Sequence, residues 1–132
     1  MNKCKRCQEN LQIEKNKFCS LTCHNLYKKE LKIKQWLNGE ISGVKKGCRI
    51  ISSIRNYLLE KSNYKCSKCQ WGEINPTTKK TPLEINHIDG NSHNNRPENL
   101  EIICPNCHSL TDSWKALNKG KGNKERLRYS KL

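Results

Sequence analysis

Three polar residues in the second half of the chain, His87, Asn99 and His108, have types and an order suited to cutting a phosphodiester. The diester's negative charge repels hydroxide, so hydrolysis needs a base for water and a cation to absorb transition-state charge. An imidazole, with an ordinary pKa of about 6.5, is neutral and able to accept a proton near neutral pH. His87 lies within Leu83-Glu-Ile-Asn-His-Ile-Asp-Gly90, Asn99 precedes Leu100, and His108 directly follows Cys104-Pro-Asn-Cys107. Bracketing the first two are Cys66-x2-Cys69 and Cys104-x2-Cys107, separated by 34 residues. Zinc ribbons usually space such pairs by about 15–20 residues, so the excess is an insertion carrying His87 and Asn99. Four thiolates around a tetrahedral zinc would close the base of that insertion and leave the zinc no open position for catalysis.

A second quartet, Cys4-x2-Cys7 and Cys19-x3-Cys23, opens the chain, and Cys48 is left over as a spare thiol. The polar start, Met-Asn-Lys-Cys-Lys-Arg, predicts no secretory signal, and no apolar run is long enough to span a bilayer. Closely paired cysteines in that setting read as zinc ligands rather than a disulfide framework. At 132 residues and 33% hydrophobic content, the chain has room for one or two small, thin-cored domains. Pieces of below roughly 70 residues need such staples. The net charge is +14, carried by the flanks: residues 1–62 hold 14 Lys/Arg against 5 acids, and residues 116–132 hold 6 against 1. Residues 63–115 have 6 of each. Basic flanks around a neutral centre suit a polyanion held by its phosphates on both sides of a reaction site.

These residues need elements to position them. Phe18-Cys19-Ser20 reads as a strand end passing into a helix, with Ser20 as its cap. Leu21, Leu26, Leu31, Ile33, Trp36 and Leu37 form a loose helical stripe that Asn38-Gly39 ends, and 38–47 is a linker. Ile50, Ile51, Ile54, Tyr57 and Leu58 predict a helix over 49–61. Alternation over Leu83–Ile88 predicts a strand with Leu83, Ile85 and His87 on one face and Glu84, Asn86 and Ile88 on the other. A polar loop follows, then a strand over Leu100–Ile103 and a helix from Pro105 to about Leu117. The resulting division is 1–47 (knuckle, helix and linker), 48–117 (the reactive centre with its preceding helix) and 118–132 (a basic tail). His93 reads as a surface residue or phosphate contact, Arg96 as a phosphate contact or bland loop residue, and His24 as a non-ligand beside Cys23. Trp71 and Trp114 read as lids over the small core.

Residues 63–115 resemble an HNH endonuclease, the ββα-metal nuclease fold. The resemblance rests on Tyr64-Lys-Cys-Ser-Lys-Cys69, Leu83-Glu-Ile-Asn-His-Ile-Asp-Gly-Asn91, Asn94-Asn-Arg-Pro-Glu-Asn-Leu100 and Cys104-Pro-Asn-Cys-His-Ser-Leu110. Residues 1–62 look like the extra zinc-binding arm of some small phage HNH proteins. The resemblance implies a small α+β, treble-clef-like domain stapled by zinc, with an N-terminal zinc knuckle and helical arm. It implies His87 as general base, Asn99 as the residue that ties the loop behind it, and His108 as a ligand of a catalytic metal. Position 86, which is usually Asp or His in the family and binds the same metal, is here Asn86; Glu84 and Asp89, nearby, are left unassigned. Two structural Zn²⁺ at Cys4, Cys7, Cys19, Cys23 and at Cys66, Cys69, Cys104, Cys107, plus a catalytic Mg²⁺ or Mn²⁺, are the expected metals. Double-stranded DNA is the expected partner, with a protein partner or dimer open, no membrane, and the cytoplasm of a bacterial host, phage-encoded or not, as the setting. One base with one metal predicts nicking by a monomer. A non-catalytic zinc module that binds nucleic acid is the competing reading, against which the intact trio of His87, Asn99 and His108 argues. Homing, packaging and restriction roles all remain open.

Overall fold

The computed structural model describes residues 1–46 and 49–118. The spare thiol Cys48 and all but the first residue of the basic tail lie outside the described residues. The chain divides into two units, one ending at Ile41 and the other starting at Ser42.

In the first unit, the backbone folds tightly around Cys4: its N–H bonds to the Glu9 carbonyl at 2.8 Å, and its carbonyl accepts from the Gln8 N–H at 3.0 Å. Lys3 and Asn10 form an isolated antiparallel bridge. Residues 18–20 are bends rather than the expected strand end, although the neighbouring Lys17 carbonyl accepts from the Lys5 N–H. Helix α1 spans Leu21–Leu37. Ser20 caps it, its hydroxyl accepting from the Cys23 N–H at 3.2 Å and so satisfying one of the free first-turn donors. Of the apolar stripe only Trp36 is buried, while Leu21, Leu31 and Leu37 are exposed. An Arg6–Glu30 ion pair at 2.9 Å ties the knuckle to the helix, and Phe18 stacks on His24 and packs against Tyr27.

The second unit begins with strands β1 (Val44–Lys45) and β2 (Arg49–Ile50), paired antiparallel as Val44 to Ile50 and Lys45 to Arg49. Residues 49–51 were expected to start the following helix; they are extended instead. The β-branched pair Ile50-Ile51 favours that conformation, and the Ile51 N–H is committed to the Gly43 carbonyl at 2.9 Å. Helix α2 therefore spans only Ser52–Lys61 and buries Ile54 and Leu58. It packs against β4 (Leu100–Ile103). β4 pairs antiparallel with β3 (Glu84–His87), aligning Glu84 with Ile103, Asn86 with Glu101 and His87 with Leu100.

The core is small: Ile54, Leu58, Leu83, Leu100, Ile102 and Ile103 are buried beside Cys66 and Cys104. Helix α3 starts at Pro105, whose missing N–H suits a first helical position. It ends at Ser109, well short of the expected Leu117. Hydroxyls compete for its last carbonyls: Ser109 Oγ donates to the Asn106 carbonyl at 2.7 Å and Thr111 Oγ1 to that of His108 at 2.8 Å. A separate 3₁₀ turn covers Lys115–Leu117. Two antiparallel strands and a short helix packed on β3 thus carry or flank His87, Asn99 and His108, a small α+β arrangement consistent with an HNH-type domain. No helix among the described residues is long and apolar enough to cross a membrane.

Candidate active site and metal centres

The eight paired cysteines form two groups of four, in each of which all sulfurs lie within 4.8 Å of one another. Cys7–Cys19, Cys19–Cys23 and Cys69–Cys104 separations are 3.6, 3.4 and 3.7 Å. These are far too long for disulfides, and all eight cysteines are free. They approach the ~3.8 Å edge of a tetrahedron built on zinc–sulfur bonds of about 2.3 Å. Each group mixes opposite tendencies. Backbone N–H groups, that of Cys7 foremost, hold the Cys4 thiol down at about 6, while the neighbouring Cys23 thiol pushes Cys19 up to about 12. Burial pushes Cys66 up, but N–H groups from Cys104, Cys69 and Lys68 outweigh it and hold the thiol at about 6. Cys107 is pushed up to about 12, foremost by Cys104. Four sulfurs this close cannot all ionise on their own, and a soft divalent cation is what such a donor set accommodates. Both quartets fit zinc, and His24 belongs to neither.

The backbone of the second quartet supports the residues between its halves. The Ser67 N–H bonds to the Ile102 carbonyl at 2.9 Å, which fixes the first Cys pair against β4. Cys104 ends β4 and caps α3, its sulfur accepting from the Cys107 N–H at 3.3 Å. His87 ends β3, and its Nε2 lies 2.7 Å from Asn95 Oδ1. The tautomer follows from the next bond. Asn95 Nδ2 donates to the Ser92 carbonyl at 3.1 Å, so its Oδ1 faces the ring and must receive a proton. Neutral His87 is therefore protonated on Nε2, with the lone pair on Nδ1.

Asn99, buried, closes the loop behind His87. Its Oδ1 accepts from the Asp89 N–H at 3.0 Å, and its Nδ2 donates to Asp89 Oδ1 at 2.9 Å and to the Asn94 carbonyl at 2.7 Å. The Ile88 N–H bonds to the Asn99 carbonyl at 2.9 Å. Asp89 is held below the usual carboxylate range, first by Asn94 Nδ2 and then by the Asn91 N–H, with Asn99 and His87 adding to the effect. Gly90 turns the chain at φ +73, and a Cβ there would stand 2.9 Å from that of Ser113. Asn118 Nδ2 donates to the Gly90 carbonyl at 2.9 Å.

Asn86 and His108 have other partners. Buried Asn86 donates Nδ2 to Glu101 Oε1 at 2.8 Å, which directs its carbonyl oxygen elsewhere. Glu101 is itself held by Ser67 Oγ at 3.3 Å and Lys68 Nζ at 3.7 Å. His108 Nδ1 pairs with Glu84 Oε2, one turn of the pleat from Asn86. Trp114, expected over the core, stands edge-on to His108 at 4.8 Å, with Lys115 over its ring. His93 and Arg96 are exposed, and Trp71 is half-buried, its carbonyl accepting from the Cys66 N–H. The structure thus joins His87 to the Asn99 loop, and seats Asn86 on Glu101 and His108 on Glu84. Among the described residues, the groups of three or more His, Cys, Asp or Glu able to share a metal are the two cysteine quartets.

Glu101 and Asn95 escape a reading of the sequence, and Glu84 and Asp89 are left by it without a role. Alternation and register could have found Glu84 and Glu101, which share a face and a cross-strand pair with Asn86. Asp89 sits in the turn next to His87. Nothing distinguishes Asn95 from Asn91 and Asn94 before the loop is folded.

Over 70 residues the chain is 43% identical to the H-N-H endonuclease F-TflIV of Escherichia phage T5, a match covering 52% of this chain and 30% of that protein. Over 55 residues it is 34% identical to the Zorya protein ZorE of Escherichia coli, covering 42% of this chain and 14% of that one. The chain spans less than a third of the length of these curated relatives. No family model matches it, and no solved structure does. The likeness to the phage endonuclease supports assigning this chain to the HNH endonuclease family.

Proposed function

We propose that residues 48–117 form a treble-clef-like ββα-metal domain that hydrolyses DNA phosphodiester bonds, with His87 as general base. The observation that carries this reading is the commitment of His87 Nε2–H to Asn95, which leaves Nδ1 as the proton acceptor. A water positioned at Nδ1 gives up its proton there as its oxygen attacks phosphorus and the bond to the 3′ oxygen breaks. Asn99 holds the loop that fixes the ring's position. Asn86 Oδ1 and His108 would hold Mg²⁺ or Mn²⁺; the His108–Glu84 pair orients the imidazole and leaves Nε2 as its ligand atom. Bound there, a divalent ion would supply positive charge against the phosphate oxygens. Two donors are few, which suits a hard cation that keeps much of its water. The zinc quartets are structural, and the excess of basic residues over 1–62 grips the DNA backbone.

A single base implies one cut per engagement, so a monomer nicks and a double-strand break takes two visits. The T5 endonuclease supports DNA as substrate and a phage-infected bacterial cell as the setting. The test is zinc-loaded protein on supercoiled plasmid with Mg²⁺ or Mn²⁺. Open circles should precede linear DNA, and His87→Ala should abolish both products at unchanged zinc content. Cutting by that variant at the parent's rate would refute the assignment.

A further inference from the structure

A cavity of about 610 Å³ lies at the start of β3 and has no part in the reaction above. Its walls carry four cations, Arg55, Lys65, Lys79 and Lys80, and no carboxylate. The ring of Tyr64, half-exposed, and the apolar side chains of Leu59, Ile74 and Leu83 also line it. The backbone that carries the lysines of the turn is fixed, and so is the Arg55 side chain. Lys79 and Lys80 sit on a turn closed by Asn75, whose Oδ1 accepts from the Thr77 and Thr78 N–H groups at 2.8 and 3.1 Å. The same turn is locked by Lys79 N–H to the Asn75 carbonyl and Asn75 N–H to the Lys80 carbonyl. Arg55 donates Nη2 to the Leu83 carbonyl at 3.3 Å.

The backbone is strained here as well. Asn63, Tyr64 and Lys79, all in the lining, have φ of 54, 56 and 59. For a side chain as large as tyrosine, a positive φ is unfavourable and persists only where surrounding bonds impose it. The Tyr64 N–H is bonded to the Leu59 carbonyl at 2.9 Å. Gly72 lets the chain pass against Tyr64: a Cβ there would stand 2.8 Å from the Tyr64 carbonyl oxygen.

A phosphate on the outside of a duplex needs cations but no aromatic, apolar-lined cavity. A single nucleotide needs both, because its base stacks on an aromatic ring while its phosphate meets the cations. The volume is in the range of pockets for small molecules. We infer that this cavity is a nucleotide-binding site, filled by one unpaired nucleotide of a DNA strand or by a free nucleotide. Its use rests on the nuclease reading. Leu83 in the cavity wall precedes His87 by four residues, about 13 Å along an extended strand, so one strand of DNA is long enough to reach both the cavity and the proposed base.

Binding is measured on the zinc-loaded full chain carrying His87→Ala, without added divalent metal. The probes are 5′-dAMP, deoxyadenosine and inorganic phosphate, followed by fluorescent duplexes with blunt or single-stranded ends. 5′-dAMP should bind at least about tenfold tighter than the nucleoside or phosphate, and Tyr64→Leu should weaken it about tenfold while Tyr64→Phe does not. Lys79→Ala with Lys80→Ala, both exposed positions that leave the core alone, should also weaken it. Tighter binding of tailed than of blunt duplex assigns the site to the DNA strand; tight 5′-dAMP with no preference for tails assigns it to free nucleotides. Equal affinity for phosphate and 5′-dAMP, or no effect of the lysine pair, would overturn the inference. Cleavage is not read in any arm, so a failed nuclease assay leaves this result standing on its own.

Discussion

Asn99→Ala tests whether the loop behind His87 is held as described. The substitution deletes three hydrogen bonds at a position only 7% exposed. At a net ~1 kcal/mol per bond, with the Asp89 N–H and the Asn94 carbonyl left short of partners, the loss should be about 2–4 kcal/mol. That is a large part of the stability of a domain this small. Urea unfolding of zinc-saturated protein, followed by tryptophan fluorescence, measures it, and cleavage of the still-folded variant should fall with it. Asn99→Asp separates donors from acceptor. It keeps an oxygen for the Asp89 N–H but loses both donated bonds and sets a carboxylate against Asp89 Oδ1, where Nδ2 now stands at 2.9 Å. Despite its smaller change in shape, it should be at least as damaging as alanine at pH 7, and should recover when acid protonates the pair. A loss below about 0.5 kcal/mol for alanine, set against the ~1 kcal/mol expected of one bond, or an aspartate variant better than alanine at neutral pH, would refute the reasoning.

Native mass spectrometry should find two zinc ions on the chain before any Mg²⁺ is added, since structural zinc contributes on the order of 10 kcal/mol in small modules; a single ion would remove one quartet from the account. Asn95→Asp puts a carboxylate where the His87 Nε2–H now meets an amide oxygen, so the imidazolium is favoured and the acid limb of the cleavage–pH profile should move up by about one unit. An unmoved limb would mean that Asn95 does not face the base. Asp89, with its pKa lowered in the folded chain, adds stability that is fully present above the ordinary carboxylate pKa of about 4 and is lost as pH falls through its lower folded value. Stability should therefore be insensitive to this group between about pH 5 and 8, and Asp89→Asn should blunt the acid limb; an unchanged acid limb would contradict the bonding described.

What could be read before folding, and what could not, divides along physical lines. The bounds of α1 were legible because a capping serine and Asn38-Gly39 are local signals that act through the nearest backbone groups. β4 was legible from its apolar run. Residues 49–51 misled because Ile50 and Ile51 fit a helical stripe as well as a strand, and only the Gly43 carbonyl, from the residue before β1, decides between them. The end of α3 misled for the opposite reason: apolar spacing continued to Leu117, but Ser109 and Thr111 took the carbonyls a longer helix needs. Asn95 lay beyond any local signal, since its meaning depends on which of several loop amides reaches the His87 ring.

The second cysteine quartet does more than staple a thin core. Its first Cys pair carries Ser67 and Lys68, and both reach Glu101. Glu101 in turn accepts from Asn86 Nδ2 and so decides which way the amide oxygen points. Its second pair begins with Cys104, which caps the helix that presents His108 to Glu84. Asn86 and His108, the proposed metal ligands, are thus oriented from the cysteine side, whereas His87 is oriented from the loop side, through Asn95 and Asn99. The proposed base and the proposed cation ligands thus have separate supports, and perturbing one support should leave the other in place. An amide at position 86 is workable on these terms. A carboxylate there would face Glu101 at the distance of a hydrogen bond, with no proton between them, so Asn86 and Glu101 are matched as a pair. As a proposed ligand an amide oxygen is weaker than a carboxylate, but the Nδ2–H that comes with it is what lets Glu101 hold the side chain.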